Sequence, residues 1–233
     1  RTAAPAERLG WVLGAVFNSM SMGIALLMFL IFAFIPWYQS RKRLKELSRW
    51  TGGDIAAIVP TLRFETWLEW QKAPVTRCLL VLVALVGIAQ MMPGDSLKAA
   101  GLQKDRYLLH HEWWRLLTAP FLHGHPLHFL MNAAALVYLG KRVEVFARWP
   151  HVPLVFLFSA CIGGEASARF LASASVGASG GLMGWLGFLL VFESLHRKLV
   201  PRTARKRLLA GVLLTGLIGL VGYKFIDNAA HAG

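Results

Sequence analysis

At 233 residues the chain is long enough for one domain, and 56% of it is hydrophobic, with a mean hydropathy of +0.51. Only 16% is charged, against roughly 25% in soluble domains, which excludes an ordinary soluble fold and indicates an all-α polytopic membrane protein. The formal net charge of +13 is not read as nucleic-acid binding, because the basic residues sit in blocks between apolar runs, chiefly Arg41-Lys42-Arg43 and residues 197–207. Such blocks mark cytoplasmic loops and contacts with anionic lipid headgroups. Cys78 and Cys161 both lie in apolar surroundings and read as packing residues.

The sequence opens on Arg1, so the gene is expected to begin upstream. Residues 9–37 form an apolar run broken only by Asn18, Ser19 and Ser21, ample for one spanning helix and closed by Pro36, Trp37 and Tyr38 at interface level. Residues 41–49 are basic and should be cytoplasmic, which puts Arg1 outside. The stretch 41–75 is amphipathic and rich in tryptophan (Trp50, Trp67, Trp70), with Gly52-Gly53 and Pro60 as breakers; it reads as a linker lying partly on the membrane surface. A second span, 76–92, runs outward and ends at Pro93-Gly94-Asp95. The loop that follows, to about residue 126, carries Trp113, Trp114, Phe121 and four histidines. It is too aromatic for a solvated linker and is expected in the outer interface.

The third span, 127–139, is short and ends at Lys141-Arg142, whose side chains can snorkel to extend it. Spans at 152–168, 178–195 and 208–226 follow, with the basic loop 197–207 between the last two. Counting from that loop puts Ser179 near the outer end of its helix and Lys141-Arg142 inside, so the two basic loops agree.

Three stretches could carry chemistry. Ser179 stands among Gly177, Gly180, Gly181 and Gly184, a helix face without side-chain bulk; taken alone, that face is a small-residue packing seam. His128 and Asn132 share a helix face at i and i+4, as a buried functional pair or an interhelical hydrogen-bond pair. His231 follows Asp227-Asn228-Ala229-Ala230 at the outer end of the last span, at the depth of Ser179. A hydroxyl beside an imidazole is a nucleophile with its general base. The oxyanion formed by attack on a carbonyl needs fixed donors, which the Ser179 N–H and the side chains of His128 and Asn132 could supply. The clusters His123-Gly124-His125 with His128, and His110-His111-Glu112, are weaker candidates for a metal, which needs three or four convergent ligands. Asp227 reads as a helix-end residue rather than the acid of a triad.

The chain resembles the rhomboid family of intramembrane serine proteases. The matching pieces are Trp114-Arg115, His128-x-x-x-Asn132, Tyr138-Leu139-Gly140-x-x-Val143-Glu144, Gly177-Ala178-Ser179-Gly180 and Ala230-His231-Ala232-Gly233, in the family's order. The resemblance implies a helical bundle over residues 76–233 lacking its last helix, an extra N-terminal membrane helix at 1–38 and a linker at 39–75. It implies a Ser179–His231 dyad with His128 and Asn132 on the oxyanion, no cofactor or metal, and a structural role for Glu144. Trp114-Arg115 would belong to a loop lying sideways in the outer leaflet. Substrates would be transmembrane proteins, unwound near small or helix-breaking residues and met by water in an outward-facing cavity, with the chain an integral protein of the bacterial cytoplasmic membrane. The gene would continue past Gly233 with roughly 18 to 20 mostly apolar residues. One departure is Met183, where the family has an aromatic ring stacked on the histidine. A silent relative that binds membrane helices or scaffolds a complex is the alternative; such relatives commonly lose the serine or histidine, and this chain keeps both.

Overall fold

In the computed structural model, residues 51–221 and 227–232 are described throughout, and before them residues 29–46 with a few single positions. Most of the expected N-terminal span lies outside the described residues, as do residues 222–226 and Gly233. A π-helical turn, Leu30–Phe34, runs directly into helix α1, Ile35–Glu46. The wider turn lies just before Pro36, whose missing N–H and ring are incompatible with a regular i to i−4 ladder.

Helix α2, Gly52–Trp70, starts on a reciprocal cap: the Asp54 N–H donates to Thr51 Oγ1 (3.3 Å) and the Thr51 N–H donates to the Asp54 carboxylate (2.8 Å). Pro60 lies inside this helix rather than ending it. Helix α3, Pro74–Ala89, has proline at its first position and no cap from its own sequence. Its cap comes from 68 or 69 residues away: the Glu144 carboxylate accepts from the N–H of Val75 (2.8 Å), the N–H of Thr76 (2.9 Å) and the Thr76 hydroxyl (2.9 Å).

The loop after α3 is built of short helices, α4 (Ser96–Ala100), α5 (Lys104–His110) and α6 (Arg115–Thr118), followed by a 3₁₀ turn at Ala119–Phe121. Then come α7 (Pro126–Phe146), α8 (His151–Phe170), α9 (Ser179–Leu195), α10 (Arg202–Val221) and the five-residue α11 (Asn228–Ala232). Among the described residues the extended structure is one isolated antiparallel pair, Leu102 with Ser175.

Helices α8 and α9 form the centre. Phe156 of α8 and Trp185 of α9 are fully buried with Val83, Leu136, Val143 and Leu189, and the Trp185 indole N–H donates to the Val152 carbonyl at 2.9 Å. The glycine face makes this possible: a Cβ on Gly181 would lie 2.6 Å from the Phe156 ring, and Gly184 backs onto Ser159. Gly140 does the same for α7, where a Cβ would meet Thr76 of α3 at 2.6 Å and Trp185 at 2.8 Å.

Helix α7 extends through the basic pair to Phe146, beyond the end expected at residue 139. Arg142 is buried, donating to both Glu65 oxygens of α2 at 3.0 Å and facing the Tyr138 ring, so its charge meets a partner inside the protein. Arg207 of α10 also reaches Glu65 (3.3 Å), and Phe64 and Leu68 of α2 pack with Val200 and Ala204. Thus α2 closes the end of the bundle opposite Ser179. Among the described helices, α8 is long and apolar enough to cross a bilayer alone; α2 and α3 reach that length together but are bent by 63°.

Candidate active site

Ser179 is the first residue of α9, and the chain reaches it through Gly177 at φ +121°. Only glycine adopts that backbone easily, and space requires it as well: a Cβ there would lie 2.5 Å from His128 Cε1, 2.8 Å from His128 Nε2 and 3.3 Å from Asn132 Nδ2. Both α7 side chains therefore converge over the backbone two residues before Ser179. The approach is pinned on the other side, where the Gly177 N–H donates to the Ala119 carbonyl (3.0 Å) and Leu102 and Ser175 exchange hydrogen bonds of 3.0 and 3.1 Å.

Asn132 is buried, with Nδ2 3.0 Å from His123 Nε2. The His123 ring stands edge-on to His128, centroids 5.3 Å apart. Burial pulls His123 down to about 4, with the neighbouring His128 acting in the same direction, so its imidazole is neutral near pH 7. A neutral Nε2 can accept one Asn132 N–H and leave the second for a ligand. The backbone of His123 is clamped by Gln90, which donates to its carbonyl (3.0 Å) and accepts from its N–H (2.9 Å).

His231 lies in α11, which packs on α8 and α9. Gly163 of α8 lies under the Ala230 carbonyl, and a Cβ on Gly180 would be 3.4 Å from that same oxygen. The residue before His231 therefore lies close over the residue after Ser179. No hydrogen bond joins the Ser179 hydroxyl to His231 among the described residues; such bonds are often long before substrate arrives.

The other histidines serve different ends. His125 caps α7, accepting the Leu127 N–H at Nδ1 (3.1 Å), while His110 and His111 are exposed. Among the described residues no three His, Cys, Asp or Glu side chains converge as a metal site. Asp227 stands at a helix end: its Oδ1 accepts the Ala230 N–H at 2.9 Å.

A family model described as a rhomboid domain matches residues 110–233, more than half of the chain. The chain belongs to the rhomboid family. It is 32% identical over 143 residues to rhomboid protease GluP of Bacillus subtilis (60% of this chain, 27% of that protein). It is 33% identical over 134 residues to RHOMBOID-like protein 4 of Arabidopsis thaliana (57% and 34%). It is also 35% identical over 123 residues to inactive rhomboid protein 1 of Bos taurus (52% and 14%). The chain spans about a third or less of the length of each of these three relatives.

Rhomboid proteins are integral membrane proteins, and the remaining family motifs of this chain have visible structural work. Arg115 is buried and knits the loop: Nε donates to Glu112 (2.5 Å), Nη1 donates to the carbonyls of Gly101 (2.7 Å) and Lys98 (3.2 Å), and its guanidinium lies over the Trp114 ring. Glu144 is the cap of α3 described above. Met183, the departure from the rhomboid pattern, packs half-buried against the core. His123, Gln90 and Lys104 were not singled out from the sequence for the roles they have here. Their signal is tertiary, since each is defined by a partner in another segment.

Proposed function

We propose that the chain is an intramembrane serine endopeptidase that hydrolyses a peptide bond in or beside a transmembrane segment of its substrate. The observation that carries this reading is the convergence of His128 and Asn132 over Gly177, with the turn holding His231 seated against Gly180. Ser179 Oγ attacks the scissile carbonyl while its proton passes to His231. The resulting oxyanion is held by the Ser179 N–H, His128 and Asn132. When the C–N bond breaks, the leaving amine takes the proton from His231; water, activated in turn by His231, then frees the acyl group from Ser179. The residues require no metal or cofactor for these steps.

The bias of basic residues toward the cytoplasm supports an orientation with segments 41–49 and 197–207 on the cytoplasmic side, facing anionic headgroups, and Ser179 toward the outer face. We assign the protein to a bacterial cytoplasmic membrane, with transmembrane proteins as its substrates. The second reading, a silent subunit that binds membrane helices or scaffolds a complex, draws on the similarity to inactive rhomboid protein 1. A fluorophosphonate probe on the purified chain separates the two. Labelling confined to Ser179 and lost in Ser179→Ala is expected; a folded protein that neither labels nor cleaves a model transmembrane substrate in liposomes is the silent one.

A further inference from the structure

One run of hydrogen-bonded side chains, two of them buried and the third half-buried, crosses three segments without entering the proposed chemistry. Lys104 opens α5 in the outer loop, a place where a lysine ordinarily faces water, yet it is only 8% exposed. Its ammonium donates to the hydroxyl of Ser167 on α8, and that hydroxyl donates to Asp227 Oδ2. The other Asp227 oxygen accepts the Ala230 N–H at 2.9 Å, and the Asp227 carbonyl accepts the His231 N–H at 3.2 Å. A hydroxyl beside a lysine is also the composition of a serine–lysine dyad. Ser167, however, is fully buried, so no substrate carbonyl can reach it.

The turn that presents His231 cannot hold itself. Helix α11 has five residues, far below the length at which an isolated helix persists, and its first N–H groups need outside acceptors. Asp227 supplies one, but a carboxylate on a free rotamer caps without fixing direction. The Ser167 hydroxyl removes that freedom, because Ser167 is set in the long helix α8. Lys104 completes the chain, its charge facing the Asp227 carboxylate, as a buried ammonium requires.

We infer that Lys104, acting through Ser167 and Asp227, is a positioning residue that sets the His231 turn against the Ser179 helix and couples it to the outer loop. This rests on reading Ser179 and His231 as the working pair. Burial pulls the Lys104 ammonium down to about 8 and the Asp227 carboxylate opposes that shift, so the charged form leans on Asp227. Asparagine at 227 would keep the cap acceptor, whereas alanine would remove the cap and the link to Ser167 together.

The test is the rate of Ser179 labelling by a fluorophosphonate in the purified full chain, resolved into half-saturating probe concentration and limiting rate. In Lys104→Met and in Ser167→Ala the limiting rate should fall about tenfold with half-saturation unchanged, because the base is misplaced and the probe pocket is intact. Asp227→Asn, which keeps a cap acceptor but loses the charge that Lys104 faces, should fall between the parent and Asp227→Ala, and Asp227→Ala should match Lys104→Met. The double variant Lys104→Met/Asp227→Ala should be no slower than either single one, since the groups act as one chain. Unchanged limiting rates in Lys104→Met and Ser167→Ala, or multiplicative losses in the double variant, overturn the inference. Ser167→Ala deletes a single oxygen and guards against a folding failure at Lys104. If the folded parent does not label, the protease reading falls on its own. The strut is then judged by amide exchange at Ala230 and His231, which should quicken about tenfold in Ser167→Ala; unchanged exchange overturns it.

Discussion

Gly177 concentrates the demands of the site in one residue. Its φ of +121° disfavours any side chain, and a Cβ would press on His128 Cε1 from 2.5 Å. Gly177→Ala should therefore lower cleavage by roughly 10²–10³, about the cost of deleting an oxyanion donor, because relief of the clash moves His128 off its position. His128→Ala and Asn132→Ala should each cost a similar factor, measured as kcat on a transmembrane substrate in liposomes. Losses below about tenfold would remove those side chains from the oxyanion role. Ser179→Ala and His231→Ala should each abolish cleavage, and the double variant should be no worse than either, since nucleophile and base act as a unit.

His123 gives the residue scale a pH dependence. Its folded value of about 4 lies below the ordinary 6.5, so between those values the unfolded chain binds a proton that the folded protein refuses. Stability should be intact above about pH 6.5 and fall as the pH drops toward 4. In His123→Gln, which has no titrating ring, the melting temperature should fall less over that window. Equal falls in parent and variant would show that other groups carry the acid sensitivity.

At the scale of elements, what holds a helix here often comes from far along the chain. Glu144 caps α3 with three hydrogen bonds from 68 or 69 positions away, and two of its donors are backbone N–H groups that α3 cannot satisfy itself. Glu144→Ala should destabilise the fold by about 1–3 kcal/mol, the cost of leaving part-buried donors without their charged acceptor, seen as a lower melting temperature in detergent. The limiting rate of Ser179 labelling in the surviving folded fraction should be unchanged, because Glu144 lies at the other end of α7 from His128. The extent of α7 follows the same logic. Read by pattern, Lys141-Arg142 ends the apolar run and so the helix; in the fold, Arg142 lies against Glu65 and Tyr138, and the helix runs on to Phe146. Burying Arg142 is tolerable here because Glu65 pairs with it.

For the whole molecule, the basic segments predict orientation. Single cysteines at Ser40→Cys and Asp105→Cys, both exposed positions, in a background lacking Cys78 and Cys161, should differ toward an impermeant maleimide applied from outside. Label at 105 and none at 40 is expected. The opposite pattern would invert the proposed orientation and put Ser179 at the cytoplasmic face.

Sequence by itself determined the class of molecule and the order of its parts. Apolar runs report the solvent they were selected for, and residue types at fixed spacing, such as His128 and Asn132 at i and i+4 or the glycines around Ser179, report a helix face through local geometry alone. The seam that this glycine face implies is present against Phe156 and Ser159 of α8. Tertiary structure decided everything that depends on which segments meet. It brought His128 and Asn132 over Gly177, turned His123 from a loop histidine into a partner of Asn132, and buried Lys104 against Ser167, 63 positions away. A side chain's charge, rotamer and burial are set by neighbours that local periodicity does not encode, and at this site every such neighbour comes from another helix or loop.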